Sequence, residues 1–321
     1  MSQASTTDPT NVLPRWLHVW TVVTGVAALG AIIGGATVTT LRVGMADPVW
    51  PTYPWHLALI SWKEPSPGFI IEHMHRLLAY TAGFCVIVLT IGLWVTRCLP
   101  WLRYTCLAAI IIQGLLGGLR VRLDVWLGLY FKLIHGAFAQ IVLALAISAA
   151  VMTSRYWRET ALTPDQPGTD SVRRTSLACT LLIFLQIVLG GFVRQTSSSL
   201  AQRGHLLVAF CVLATVALLL HRASEVGSLE SGVRRSLWCL AGLLAFQILL
   251  GVETWMTKFV PGVYPDSQPV SVGAAITRTA HYVFGSGAFG FAVTNSLHTY
   301  SRVFRTSAPP VPRLAKLEGA L

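Results

Sequence analysis

The sequence predicts an all-α integral membrane protein. Its eight transmembrane helices are expected to form two four-helix bundles related by a pseudo-twofold axis. Three observations lead there. The chain holds eight apolar stretches of about 20 residues, each long enough to span a hydrocarbon core about 30 Å thick. A Gln-x-x-x-Gly pattern recurs in three of the odd-numbered stretches: Gln113 with Gly117, Gln186 with Gly190 and Gln247 with Gly251. A His-x-x-x-small pattern recurs in all four even-numbered ones.

Composition supports the class. Of 321 residues, 54% are hydrophobic and 12% charged, whereas a soluble domain carries about 25% charged residues. The net charge of +11 is read as a membrane-topology signal rather than as a sign of nucleic acid or anionic lipid binding; membrane lipids are the expected partner, with no nucleic acid. With both termini inside, 14 of the 24 Lys and Arg residues fall on the inner side and 10 on the outer. Basic loops stay cytoplasmic, so the expected orientation is N-in, C-in. Residues 1–15 form a short polar tail without a signal-peptide or transit-peptide pattern. The expected location is therefore the plasma membrane of a bacterium or archaeon. The six cysteines lie in helices or at inner ends, in no metal-binding spacing, and read as small apolar filler.

The first span, 16–39, keeps only the glycines of the repeat, Gly34 and Gly35. A long outer loop, 41–68, carries Trp50, Tyr53 and Trp55, residue types that favour the interface. It reads equally as a headgroup anchor or a lid. The second span, 69–95, opens with Glu72-His73-Met74-His75-Arg76. Residues three and four apart share a helix face, so Glu72, His75 and Arg76 point together. His73, turned about 160° from His75 at about 100° per residue, is expected at the interface. The third span, 101–120, carries Gln113, Gly117 and Gly118, and the fourth, 130–153, carries Lys132 and His135.

An inner, proline-containing linker, 154–174, then divides a first half, 16–153, from a second, 175–299. Each half has an even number of spans, so the halves point the same way. The fifth span, 175–195, repeats the third. The sixth, 203–222, brings His205, preceded by Gln202. The seventh, 236–256, ends the glutamine–glycine series. A second proline-containing outer loop, 258–275, leads to the eighth span, 277–299, with Arg278 and His281. Residues 300–321 form an inner tail.

The chemistry lies in His75, His135, His205 and His281. Each is followed four residues later by a small residue: Ala79, Ala139, Ala209 and Gly285. A lone histidine reads as a hydrogen-bonded packing residue, and His18, His56, His221 and His298 are taken so. A histidine repeated at one depth in four spans reads otherwise, because polar groups in a bilayer are costly and mark function. Four such residues make two sites with two axial ligands each, the arrangement of a six-coordinate haem. Three residues before each histidine stand Glu72, Lys132, Gln202 and Arg278. Lys132 and Arg278 are placed to pair with haem propionates. Arg76, Arg120, Arg122, Arg194 and Arg203 lie at the same outer level and are candidates for the same pairing, Arg76 among the expected cofactor-binding residues. Glu72 breaks the symmetry: a carboxylate beside a metal site can exchange a proton, so the first half is expected to do chemistry and the second to transfer electrons. A bis-histidine dihaem electron-transfer protein without turnover stays open on these residues; a transporter is disfavoured because no span is broken near its middle.

The spans, the four histidines and the Glu72-x-x-His75-Arg76 run together resemble the haem A synthase family. The loop stretch Gly44-Met45-Ala46-Asp47-Pro48-Val49-Trp50-Pro51 is similar to a degenerate form of that family's loop motif. The resemblance implies oxidation of the C8 methyl of haem O to a formyl group, giving haem A by two successive hydroxylations. It implies that His205 and His281 ligate a resident haem b, that His75 and His135 hold the substrate haem, and that Glu72 is catalytic. It also implies haem O synthase and cytochrome oxidase assembly proteins as partners, and is compatible with a homo-oligomer. The chain departs from many bacterial members in lacking cysteine pairs in its outer loops.

Overall fold

The computed structural model describes residues 13–47, 66–159, 166–196, 198–227, 229–259 and 269–301. Among these, all regular structure is helical. The long helices are α1 (Arg15–Leu41), α2 (Pro67–Val95), α3 (Pro100–Arg122), α4 (Asp124–Thr153), α6 (Thr169–Thr196), α7 (Ser199–Glu225), α8 (Ser231–Phe259) and α9 (Val272–Thr299), with a five-residue helix α5 (Arg155–Glu159) after α4. The long helices overrun the expected spans because their polar ends stay helical. Three are started by serine: the side chains of Ser66, Ser198 and Ser271 accept from the backbone N–H of Phe69, Ala201 and Ala274, satisfying donors that a helix start leaves open. Pro67 and Pro100 occupy first-turn positions where a missing N–H costs nothing.

Seven helices, α1 to α4 and α6 to α8, are long and apolar enough to cross a membrane. The remaining expected span, α9, has the length at 28 residues but carries Arg278, His281, Asn295 and His298 and is not among the seven. The expected linker 154–174 is partly helical: α5 lies within it and α6 begins at Thr169. Most of loop 41–68, including Trp50, Tyr53, Trp55 and His56, falls outside the described residues, as do most of the two tails and residues 260–268 of the second loop.

Each helix packs closely on the next in the pairs α1–α2, α3–α4, α6–α7 and α8–α9, so the hairpin is the repeated unit. One buried apolar cluster joins Leu17, Val86, Leu89, Leu102 and Ala149; another joins Val172, Val212, Leu219, Leu240 and Phe289. α4 and α9 meet between them, close enough that a Cβ on Gly290 would lie 2.7 Å from Ile147 Cδ1.

At the other end from the glycine series, a polar knot ties three helices. The fully buried Asn295 donates to Val233 O and Ser236 Oγ, both at 3.0 Å, and accepts from Ser176 Oγ at 2.7 Å. Removing the amide takes one hydrogen bond from each of three groups, which keep their other partners. Asn295→Ala is expected to lower stability by about 1 kcal/mol, the scale of interhelical hydrogen bonds in membrane proteins. An SDS-unfolding titration in mixed micelles checks it.

Candidate functional site

The repeated glycines face the repeated histidines. A Cβ built on Gly35, Gly117, Gly190 or Gly251 would lie 3.0, 3.2, 3.1 or 3.1 Å from Cε1 of His75, His135, His205 or His281. Carbon atoms prefer about 3.5–4.0 Å, so any side chain there moves the ring. Each imidazole lies in a notch that glycine cuts in the preceding helix.

The glutamines complete the seat. Gln113 Nε2 donates to His135 O at 3.2 Å, and Gln247 Nε2 to His281 O at 2.7 Å. In the third copy Gln186 O lies 3.2 Å from His205 Nδ1, and the Gln186 amide nitrogen lies 3.3 Å from His205 Nε2. In α1 the glutamine position is Ala31, whose carbonyl lies 3.1 Å from His75 Nδ1. An Nδ1–H held by a carbonyl leaves Nε2 as a lone-pair donor, the state a metal ligand needs.

The predicted pairs come together. The His205 and His281 rings lie 6.4 Å apart between centres and nearly perpendicular, at 81°. One metal bound by two imidazole nitrogens at about 2 Å each requires centres about 6 Å apart, so this spacing fits a single iron. Nδ1 of His135 and of His281 is buried, with no hydrogen bond to it among the described residues.

His75 and His135 line one cavity of about 640 Å³, with Glu72 and Arg76. That volume is typical of small-molecule and cofactor sites. Glycine and alanine supply about two-fifths of its lining, including Gly35, Gly117, Gly136, Ala79 and Ala139, and it carries the cations Arg76, Arg120, Lys132 and Arg194. A largely apolar lining with many small residues and several cations suits an apolar molecule bearing carboxylates. Lys132 also pairs with Asp124 Oδ1 at 3.2 Å. Arg278 is not in this cavity; it donates to Thr257 O at 2.9 Å. Arg122 and Arg203 do not line it.

One expectation is corrected. His73 is not at the interface but fully buried, its Nδ1 3.3 Å from Asp47 Oδ2. Helix periodicity turns it away from the cavity, and Asp47, in the described start of the first loop, lies against it. Asp47 stands 26 residues from His73, and no sequence spacing joins the two. Of the histidines taken as packing residues, His18 bonds Thr153 Oγ1 at 3.1 Å, and His298 lies 3.5 Å from Glu230. His221 pairs with Glu225 on an exposed face.

A family model described as cytochrome oxidase assembly protein matches residues 53–204. Heme A synthase of Listeria welshimeri is 28% identical over 195 residues, 59% of this chain and 62% of that protein. Heme A synthase of Geobacillus kaustophilus is 28% identical over 200 residues, 59% of each chain. That of Shouchella clausii is 32% identical over 129 residues, 38% of this chain and 42% of the relative. The resemblance to the haem A synthase family holds. This chain covers 62% of the length of the first of these haem A synthases. The family match contains Glu72, His75, Arg76, Lys132 and His135 and stops one residue before His205.

The seat makes a measurable distinction between neighbouring glycines. A Cβ on Gly114 meets nothing within 4 Å, whereas one on Gly117 presses on His135. Alanine gains about 1 kcal/mol over glycine inside a helix. Gly114→Ala is expected to raise the thermal unfolding midpoint in detergent, and Gly117→Ala to leave it unchanged or lower it.

Proposed function

We propose that this chain is a haem A synthase that oxidises the C8 methyl of haem O to a formyl group. The observation that carries the reading is one cavity that gathers His75, His135, Glu72 and Arg76 between glycine-rich walls. His75 and His135 hold the substrate haem, with its carboxylates toward Arg120, Lys132 and Arg194. Glu72 faces the same cavity and is the group placed to take or hold a proton as the methyl is hydroxylated twice, through an alcohol to a hydrated aldehyde.

His205 and His281 are assigned to a resident haem b, supported by their 6.4 Å ring separation; Arg278 is its propionate partner. When bound there, haem b would supply a one-electron carrier. For His205 to ligate, the Gln186 amide turns away from Nε2. The unequal pair Glu72 and Gln202, three residues before His75 and His205, supports chemistry in the first half and electron transfer in the second.

The same reading takes all eight long helices as spans, in two four-helix halves, with both termini cytoplasmic and the haem sites toward the outer side of a bacterial or archaeal plasma membrane. A haem O synthase supplies the substrate, and cytochrome oxidase assembly consumes the product.

Membranes that co-express this chain with a source of haem O are expected to contain haem A. Glu72→Ala is expected to keep haem b and to lower haem A yield by at least about a hundredfold, the lower range for loss of a general acid–base group. His281→Ala is expected to lose haem b itself. Pyridine haemochrome spectra and chromatography of extracted pigment read all three. Full haem A yield from Glu72→Ala would overturn the catalytic assignment. Two non-exchangeable haems b per chain with no haem A would indicate an electron-transfer protein instead.

A further inference from the structure

Asp47 is a carboxylate at the end of the described part of the first loop, and it is 0% exposed. A buried charge is costly unless it is paired and hydrogen-bonded, and the pairing here is specific. Its Oδ2 lies 3.2 Å from Arg76 Nη1 and 3.3 Å from His73 Nδ1. Its backbone N–H donates to Glu72 Oε2 at 2.8 Å, and its carbonyl accepts from Arg76 Nη2. Arg76 Nη2 also meets Glu72 Oε1 at 3.1 Å. Both oxygens of Glu72 are therefore held, one by the loop backbone and one by a guanidinium that Asp47 holds in turn.

Two consequences follow. Glu72 is 3% exposed and has little rotational freedom, so its direction is set by the loop as much as by its own helix. The loop, in turn, is fixed to α2 through this cluster. We propose that Asp47 is a positioning residue: it clamps the first outer segment onto the start of α2 and thereby aims Glu72 into the cavity. The proposal rests on the reading of Glu72 as the proton-handling group.

A crosslink reports the clamp independently of turnover. A Cβ on Gly68 would lie 3.5 Å from Ala46 Cβ, within the range of about 3.5–4.5 Å that a disulfide needs. Ala46→Cys with Gly68→Cys, in a chain whose exposed Cys211 and Cys239 are replaced by serine, is oxidised in membranes, and the rate of crosslinking is followed. The same membranes are assayed for kcat and KM with haem O. Asp47→Asn is expected to slow crosslinking about tenfold and to lower kcat about ten- to a hundredfold, the cost of small displacements of reacting groups, with KM changed less than about threefold. Completing the crosslink before assay is expected to restore most of kcat. Asp47→Glu gives intermediate losses in both readouts and carries the test alone if Asp47→Asn does not accumulate. An unchanged crosslinking rate, or an unchanged kcat, overturns the proposal. A wild-type chain that makes no haem A while Asp47→Asn still slows crosslinking refutes the functional reading and leaves the clamp standing.

Discussion

The contact between an imidazole and the glycine notch of the preceding helix governs this molecule. It occurs in each of the four hairpins, with Cε1 within about 3 Å of where a Cβ would stand. Apolar surface gives no strong drive for helices to associate in lipid, so close approach at small residues and interhelical hydrogen bonds carry more of the packing. Here the two act at one place. Glycine lets the helices approach, and the glutamine four residues earlier, in three of the copies, bonds to the partner helix. The same contact that pairs the helices fixes the ring of a prospective ligand. Packing and site are one arrangement, which is why the repeat is visible in both.

The notch explains the symmetry, and the charges explain its loss. An ionised group within apolar surroundings must be paired. In the second half the corresponding position is Gln202, neutral, so no such cluster is required. In the first half Glu72 brings a charge, and Arg76, Asp47 and His73 gather around it. Asp47 adds a second carboxylate to one guanidinium, so the cluster is not a simple ion pair. Its geometry spans a loop and a helix, and this ties the start of α2 to the segment that follows α1.

The sequence made the eight long helices legible because each is a long apolar run bounded by serine, proline or charge. The pairing of the histidines was legible from the repeat: His205 with His281 in one place, His75 with His135 in another. Local helix geometry correctly put Glu72, His75 and Arg76 on one face. The fate of His73 was not legible. Its burial depends on Asp47, which is 26 residues away and reaches it by tertiary contact. The role of the glycines was only half legible: spacing showed that they recur, but that they face imidazoles is a property of helix register. α9 illustrates the opposite limit: the repeat leads one to expect a span there, yet it is not among the seven described helices long and apolar enough to cross a membrane.

The two sites are also held relative to one another. Tyr282 follows His281, and its hydroxyl donates to Gly136 O at 3.3 Å, the residue after His135, while accepting from Gln140 Nε2 at 3.2 Å. Arg194 lies over the Tyr282 ring at 5.2 Å and bonds Ala36 O and Thr40 Oγ1 on α1. These are polar contacts at an otherwise apolar junction, and each would cost stability if the helices slid by one residue. Such groups specify register more than they add stability. The distance between the two histidine pairs is thus set by a few directional bonds rather than by fluid apolar packing. Under the proposed function, rigid spacing of that kind is what two haem sites would need for electrons to pass between them.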